Sequence, residues 1–259
     1  MSKLEGKLTV LLPAYNEGSI IFKNSLEIAK QVKNLANKYE VIVIDDGSSD
    51  DTAQQAQLAA DKNPYIKVLG YTENRGKGHA LCVGTEAASG EYIAFCDSDL
   101  DLAPAQLEGF ICMMEHEHAD VVIGSKMHPD SKVDYPRIRR VYSWGYYLLL
   151  MVLFHLHVKD TQTGLKLFKA EVIKPVMQRI LVKRFAFDIE VLAIINSRGY
   201  KIVSAPINVV FQRGMYGRIG WADIRNMLVD TLAVFYRLYI LHYYDSPVGE
   251  TANKEEAML

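Results

Sequence analysis

Short runs of β-branched and other apolar residues recur along the first half of the chain, and most are followed by a stretch with helical spacing. The runs are Leu8–Leu12, Val41–Ile44, Ile66–Leu69, Tyr92–Phe95 and Val121–Ile123, and the first four are separated by Ser19–Ala36, Thr52–Asp61 and Gly78–Ala88. Runs that are apolar at successive positions, rather than alternating, suit strands covered on both faces. Strands alternating with helices at this spacing predict βαβ units, hence an α/β fold with a mainly parallel central sheet flanked by helices. In such sheets ligands bind beyond the carboxyl ends of the strands. The 259 residues, nearly half of them apolar, suffice for one core of this kind, and no Gly/Ser/Pro-rich linker divides the chain.

The loops that leave these strands carry the chemistry. The first strand ends in Pro13-Ala14-Tyr15-Asn16-Glu17, where proline stops the ladder and a Tyr, an Asn and a Glu stand at the sheet edge; a capped helix start is the plain alternative. The second ends in Asp45-Asp46-Gly47-Ser48-Ser49-Asp50-Asp51-Thr52. Two adjacent carboxylates there can accept from the N–H of a base and from ribose hydroxyls, while Ser49 to Thr52 suit a helix cap. The fourth runs into Asp97-Ser98-Asp99-Leu100-Asp101. Clustered carboxylates repel one another unless a cation holds them, and hard oxygen ligands suit Mg²⁺ or Mn²⁺ bound jointly with a diphosphate. Asp101, just before Pro104, has helix capping as its alternative. Between these motifs lies Asn74-Arg75-Gly76-Lys77-Gly78-His79, a basic loop opening a helix, where Lys77 can approach phosphate; the pattern is too short to be a P-loop.

Other features exclude more than they propose. A net charge of −2 offers no basic footprint for nucleic acid. No Gly-x-Gly-x-x-Gly follows the first strand, which argues against a dinucleotide-dependent dehydrogenase. Cys82, Cys96 and Cys112 are odd in number and set among apolar neighbours, as expected of small buried hydrophobes in a reducing compartment. His116 and His118 point away from each other on a helix and suit a solvated helix end rather than a metal site. Asp188 and Glu190 either orient a cation or cap a helix.

Two segments approach, without reaching, the roughly 18 to 20 apolar residues of a membrane span. Trp144 to Phe154 is apolar apart from Gly145, and Trp221 to Leu241 is rich in Leu, Tyr and Phe with scattered charges. In the second, Asp223, Asn226, Asp230 and Arg237 fall on one narrow helical face, which predicts an amphipathic helix. Arg137, Arg139, Arg140 and Ser143 immediately precede the first, and Arg139 and Ser143 share one helix face. Cations beside an apolar surface suit a phosphate headgroup or an anionic membrane surface. The residues before the first strand lack a signal-peptide pattern, so the expected location is cytoplasmic, peripheral on a membrane face, with a membrane protein as a further possible partner. The expected organisation is a catalytic domain over residues 1–219, an amphipathic helix over 220–246 and a polar tail over 247–259.

In this order, the motifs Pro-Ala-Tyr-Asn-Glu, Asp-Asp-Gly-Ser, Asn-Arg-Gly-Lys-Gly and Asp-Ser-Asp-Leu, with Asp160-Thr161-Gln162-Thr163-Gly164-Leu165-Lys166-Leu167-Phe168, resemble those of the family 2 inverting glycosyltransferases. These have the GT-A (nucleotide-diphospho-sugar transferase) fold, and the likeness is to their dolichyl- and polyprenyl-phosphate sugar synthases. It extends over about Leu8 to Ile219. The resemblance implies that Pro13, Ala14, Tyr15, Glu17, Ile44 and Asp46 line a base and ribose pocket, and that Lys77, Asp97, Ser98 and Asp99 flank the diphosphate. It places Mg²⁺ or Mn²⁺ on Asp97, Asp99 and Asp101, the acceptor phosphate on Arg139 and Ser143, and further phosphate contacts on Lys126, Arg213 and Arg218. Here Ser98 stands where these enzymes often have Ala, Asp101 where Gln is frequent, and Lys126 where Arg is common. The implied reaction moves a glucose- or mannose-type hexose from a UDP- or GDP-sugar donor to a polyprenyl phosphate, a lipid-phosphate acceptor, at the membrane. Two alternatives stand beside it: transfer to a sugar hydroxyl, with Asp160 or Asp188 as base, and a non-catalytic nucleotide-sugar-binding scaffold.

Overall fold

A computed structural model describes residues 3–133, 137–182, 186–210 and 221–245, and in 137–143 and 221–224 the backbone only. Arg213, Arg218 and the tail from residue 247 lie outside the described residues, as do the side chains of Arg137, Arg139, Arg140, Ser143 and Asp223.

Among the described residues seven strands form one sheet: β1 (Leu4–Ala14), β2 (Ala36–Asp46), β3 (Ile66–Tyr71), β4 (Tyr92–Phe95), β5 (Val121–Ser125), β6 (Lys166–Lys169) and β7 (Ile202–Pro206). The order is β3-β2-β1-β4-β6-β5-β7, and only β6 runs antiparallel to its neighbours, β4 and β5. The helices are α1 (Gly18–Leu35), α2 (Thr52–Lys62), α3 (Lys77–Ala87), α4 (Leu107–His116), α5 (Arg137–Phe154), α6 (Ala170–Met177), α7 (Phe187–Ser197) and α8 (Trp221–Phe235), the last continuing as a π-helical turn over Tyr236–Ile240.

The apolar runs become strands because both faces of the sheet are covered. Val41 and Val43 pack into one core cluster with Ile28, Val32 and Val10, while Ile42 and Ile44 pack into the other with Leu11, Leu81 and Ile93. Successive side chains point to opposite faces, so a run without alternation is what a two-sided burial requires. Each such side chain contributes about 1.5–3 kcal/mol. Strands β1 and β2 extend further toward their amino ends than the apolar runs do, because those ends are held by polar groups. Glu40, 2% exposed, accepts from Thr9 Oγ1 (2.7 Å), Lys67 Nζ (2.8 Å), and the amide and hydroxyl of Ser89 (2.8 Å each).

The C-terminal helix turns one stripe inward and leaves an apolar surface exposed. Thr231, Val234 and Leu238 form its buried stripe, and Arg237 turns inward to Glu190, whereas Leu228, Val229, Leu232, Tyr236 and Ile240 are exposed. Of the narrow polar face, Arg237 is spent on a buried carboxylate, and apolar side chains face out. Helix α5 lies beside it in the same direction, with Tyr146 bonded to Thr231 (2.8 Å) and Phe154 against Phe235 and Tyr239. It buries Leu150 and Phe154 and exposes the ridge Trp144, Leu148 and Val152 (59%, 43% and 66%). No described helix is long and apolar enough to cross a membrane.

Candidate active site

The carboxyl ends of β1, β2 and β4 open onto one cleft of about 310 Å³, lined by Pro13, Ala14, Tyr15, Glu17, Asp46, Asn74, Gly76, Lys77, Asp97, Ser98 and Asp99. This is where an open α/β sheet binds ligands, since β1 lies between β2 and β4 and their connections leave on opposite sides.

The first two loops are stitched together by polar side chains. Asn16, with φ of 54°, donates its amide to Ser48 Oγ (2.9 Å) and accepts from the Ser49 amide (2.9 Å). The Glu17 amide donates to Thr52 Oγ1 (2.7 Å) and the Gly18 amide to Asp50 (3.1 Å). Asp45 is consumed inside its own turn, accepting from the amide and hydroxyl of Ser48. Only Asp46 of the acidic pair faces the cleft. Gly47 has φ of 66°, and a Cβ there would lie 2.5 Å from the carbonyl carbon of Glu73, so this turn admits only glycine.

Asp46 is 4% exposed, and its carboxylate holds the basic loop in place. It accepts from Tyr71 Oη (2.6 Å), the Arg75 amide (2.9 Å) and the Gly76 amide (2.9 Å). The amino end of α3 is thereby fixed against the cleft, with Lys77 as its first residue. Burial pushes the Tyr71 hydroxyl well above its ordinary range, and its bond to Asp46 adds to the effect. Tyr15 is 47% exposed and offers a ring face to a ligand.

At the end of β4, Asp97 forms an ion pair with Lys77. Burial would raise the Asp97 carboxyl, but Lys77, with Lys166 and Lys126 behind it, holds it below the usual range. Asp99 goes the other way: burial raises it, the hydrogen bond from the Asp101 amide opposes this, and the carboxylates of Asp97, Asp101 and Glu17 add to the rise. Asp99 and Asp97 both line the cleft, and two hard-oxygen donors whose mutual repulsion a cation relieves fit a divalent ion bound jointly with a diphosphate. The three-carboxylate set expected from the sequence is not gathered. Among the described residues no three acidic, His or Cys side chains converge, and Asp101 does not line the cleft.

Two further expectations meet a different placement. Ile44 is fully buried and does not reach the cleft; it packs beneath α3, where a Cβ on Gly84 would lie 2.8 Å from its Cδ1. The alternation that sends Val43 to one face sends Ile44 to the other. Lys126 does not line the cleft; its ammonium is 3.9 Å from Asp160, which also accepts from the Lys126 amide (3.0 Å) and Thr163 Oγ1 (2.8 Å). Asp188, as one of its two readings has it, orients a cation, pairing with Lys166 at 2.6 Å. Arg139 and Ser143 occupy the first turns of α5, and no side-chain geometry is described for them. Asn74 and Gly76 line the cleft without having been singled out; the Gly-flanked basic motif was their only signal. His116 is exposed at the end of α4, and the three cysteines are free thiols, Cys96 buried and the other two half-buried.

The glycosyl transferase family 2 profile matches residues 9–176, from the start of the β1 core to the end of α6. The chain belongs to glycosyl transferase family 2. Among its curated relatives, a dolichyl-phosphate beta-glucosyltransferase of Dictyostelium discoideum is 32% identical over 217 residues, covering 78% of this chain and 65% of that protein. One from Trichomonas vaginalis is 30% identical over 249 residues, covering 90% and 75%. The human dolichyl-phosphate beta-glucosyltransferase is 30% identical, covering 78% and 66%. The chain spans slightly less than two thirds of the length of the first of these relatives. Among solved structures, glucosyl-3-phosphoglycerate synthase of Mycobacterium tuberculosis, in complex with Mn²⁺, uridine diphosphate and phosphoglyceric acid, matches with a TM-score of 0.66 at 22% identity, covering 89% of this chain and 78% of that one. That likeness is one of fold, and the fold of this family 2 chain is GT-A.

Proposed function

We propose that this chain is a divalent-metal-dependent inverting glucosyltransferase that moves glucose from UDP-glucose to a polyprenyl phosphate at a membrane surface. The observation that carries the proposal is the single cleft in which an exposed aromatic ring (Tyr15), a helix amino terminus with a lysine (Lys77) and an acidic pair (Asp97, Asp99) face one another. These suit a base, a diphosphate and a cation in turn. The choice of glucose and of a lipid phosphate rests on the names of the relatives.

A phosphate monoester is largely dianionic at neutral pH, its second pKa being about 6, so the acceptor needs no strong protein base. Either carboxylate that could serve a hydroxyl acceptor as base is engaged in an ion pair, Asp160 with Lys126 and in its own turn, Asp188 with Lys166. This favours the phosphate over the hydroxyl. Mg²⁺ or Mn²⁺, held by Asp99 with Asp97, would offset charge on the departing diphosphate. Lys77 meets the diphosphate by leaving Asp97, and the amino end of α3, which Lys77 opens, faces the same group. The exposed apolar ridges of α5 and α8 lie on a membrane, and Arg139 with Ser143, at the start of α5, receives the phosphate that the lipid tail presents there. Arg213, Arg218 and Lys126 supply further positive charge to the two anions.

The test is transfer of labelled glucose from UDP-glucose to a short, water-soluble prenyl phosphate, with Mn²⁺ and with chelator. Metal-dependent formation of prenyl-phosphate glucose is expected. Transfer to a sugar hydroxyl but to no prenyl phosphate would refute the acceptor assignment.

A further inference from the structure

Gly164, in the turn before β6, lies directly against Asp97. A Cβ on Gly164 would stand 1.8 Å from Asp97 Oδ2 and 2.5 Å from its Cγ. The backbone at Gly164 is not in the left-handed region, so any residue could adopt its conformation, and only this close approach demands glycine. Two residues on, Lys166 is 2% exposed and sits in register opposite Phe95, the last residue of β4. Its ammonium donates to Thr163 O (2.5 Å) and to Asp188 Oδ1 (2.6 Å) on the first turn of α7. Asp97 follows Phe95 by two residues, so the Lys166 charge lies behind the same carboxylate that Lys77 holds from the front.

We propose that Gly164 and the Lys166–Asp188 ion pair are positioning residues that seat the Asp97 carboxylate toward the donor. This rests on the assignment of the cleft to a nucleotide-sugar. A buried ammonium is costly unless paired, and this one spends its hydrogen bonds on the turn that brings Gly164 against Asp97 and on the helix that closes the far side. The arrangement makes a sharp prediction about a one-methyl change. In Gly164→Ala the Asp97 carboxylate, at the end of a short side chain, is the group that yields, and it swings away from Lys77 while the strand around it stays. Misplacing a reacting group by about 1 Å costs about 100-fold in rate.

Three variants test this: Gly164→Ala, Lys166→Met, and Gly109→Ala as control, since nothing lies within 4 Å of a Cβ there. Crystal structures, melting temperatures and glucose transfer from UDP-glucose are measured for each. Gly164→Ala is expected to displace the Asp97 carboxylate by more than 1 Å and to lower kcat about 100-fold, with the acceptor KM and the melting temperature nearly unchanged. Lys166→Met, which keeps the length of the stem, is expected to lower kcat more than tenfold with the acceptor KM unchanged; were Asp188 instead the base, freeing it from Lys166 would not slow transfer. Gly109→Ala leaves Asp97 and transfer as in the unmodified protein and, lying within α4, raises the melting temperature slightly. An unmoved Asp97 in Gly164→Ala, or undiminished kcat in either Gly164→Ala or Lys166→Met, overturns the proposal. Should the unmodified protein transfer no glucose at all, the cleft's functional assignment fails, while the crystallographic displacement still decides the positioning claim.

Discussion

Arg237→Met removes the cation that faces the most deeply buried carboxylate of the C-terminal region. Glu190 is fully buried and accepts from the Val182 amide (2.8 Å), the Leu181 amide (3.1 Å), the Tyr244 hydroxyl and Arg237 Nη2 (3.3 Å). Burial raises the Glu190 carboxyl, and Arg237 is one of the groups that opposes this. Breaking a buried pair by removing one partner costs about 3–5 kcal/mol. The three remaining donors keep the loss near the lower end, about 3 kcal/mol, or ~6–12 °C in melting temperature for a chain of this size. The sign of its pH dependence follows from the raised pKa. A carboxyl raised in the folded state binds its proton more tightly there than in the unfolded chain, so stability falls as pH rises through the folded pKa. Without Arg237 the folded pKa rises further, and the deficit should be largest at pH 8 and shrink toward pH 5.5, by at most about 1.4 kcal/mol per unit. Urea melts at the two pH values measure this, with Arg237→Met/Glu190→Gln expected to recover part of the loss at pH 8. A deficit under 1 kcal/mol, or one equal at both pH values, refutes the reasoning.

Asp46→Asn leaves one acceptor oxygen for three donors and loosens the Asn74–Lys77 loop, so UDP affinity by calorimetry should fall at least tenfold, while Tyr71→Phe, losing one bond, costs less. Asp99→Ala should abolish the enhancement of UDP binding by Mn²⁺ without lowering the melting temperature, because it removes a carboxylate repelled by three others. Glu40→Gln, at the opposite end of the strands from the cleft, should cost about 2–3 kcal/mol in urea melts with transfer activity intact. Its carboxyl is well below the usual range: burial would raise it, but Lys67, Ser89 and Thr9 prevail. That advantage over Gln is therefore present above the unfolded pKa of about 4.3 and fades as pH falls toward the folded value. Replacing Trp144, Leu148 and Val152 together by Asp should abolish flotation with anionic liposomes and slow transfer to long-chain acceptors, yet spare a short, water-soluble one.

Much of the site was legible because its residues follow strands whose apolar runs announce both their position and their carboxyl ends. Pro13 to Glu17, Asp46 and Asp97 to Asp99 could be placed at one sheet edge from composition and spacing alone, since a parallel sheet gathers its strand-to-helix loops at one end. Local periodicity could not tell which of those side chains would meet. The pairing of Lys77 with Asp97, the capture of the Arg75 and Gly76 amides by Asp46, and the burial of Ile44 under α3 depend on which strands are neighbours. The antiparallel insertion of β6 between β4 and β5 was equally hidden, because Lys166–Lys169 is four residues long with a lysine at each end and carries no strand signature. Yet that insertion brings Gly164 and Lys166 to Asp97 from almost 70 residues away. For α8 the helical period is legible in the sequence and the inward face is not. A periodic pattern records which residues share a face, whereas the partner waiting on the other side, here the buried Glu190, decides which face turns in.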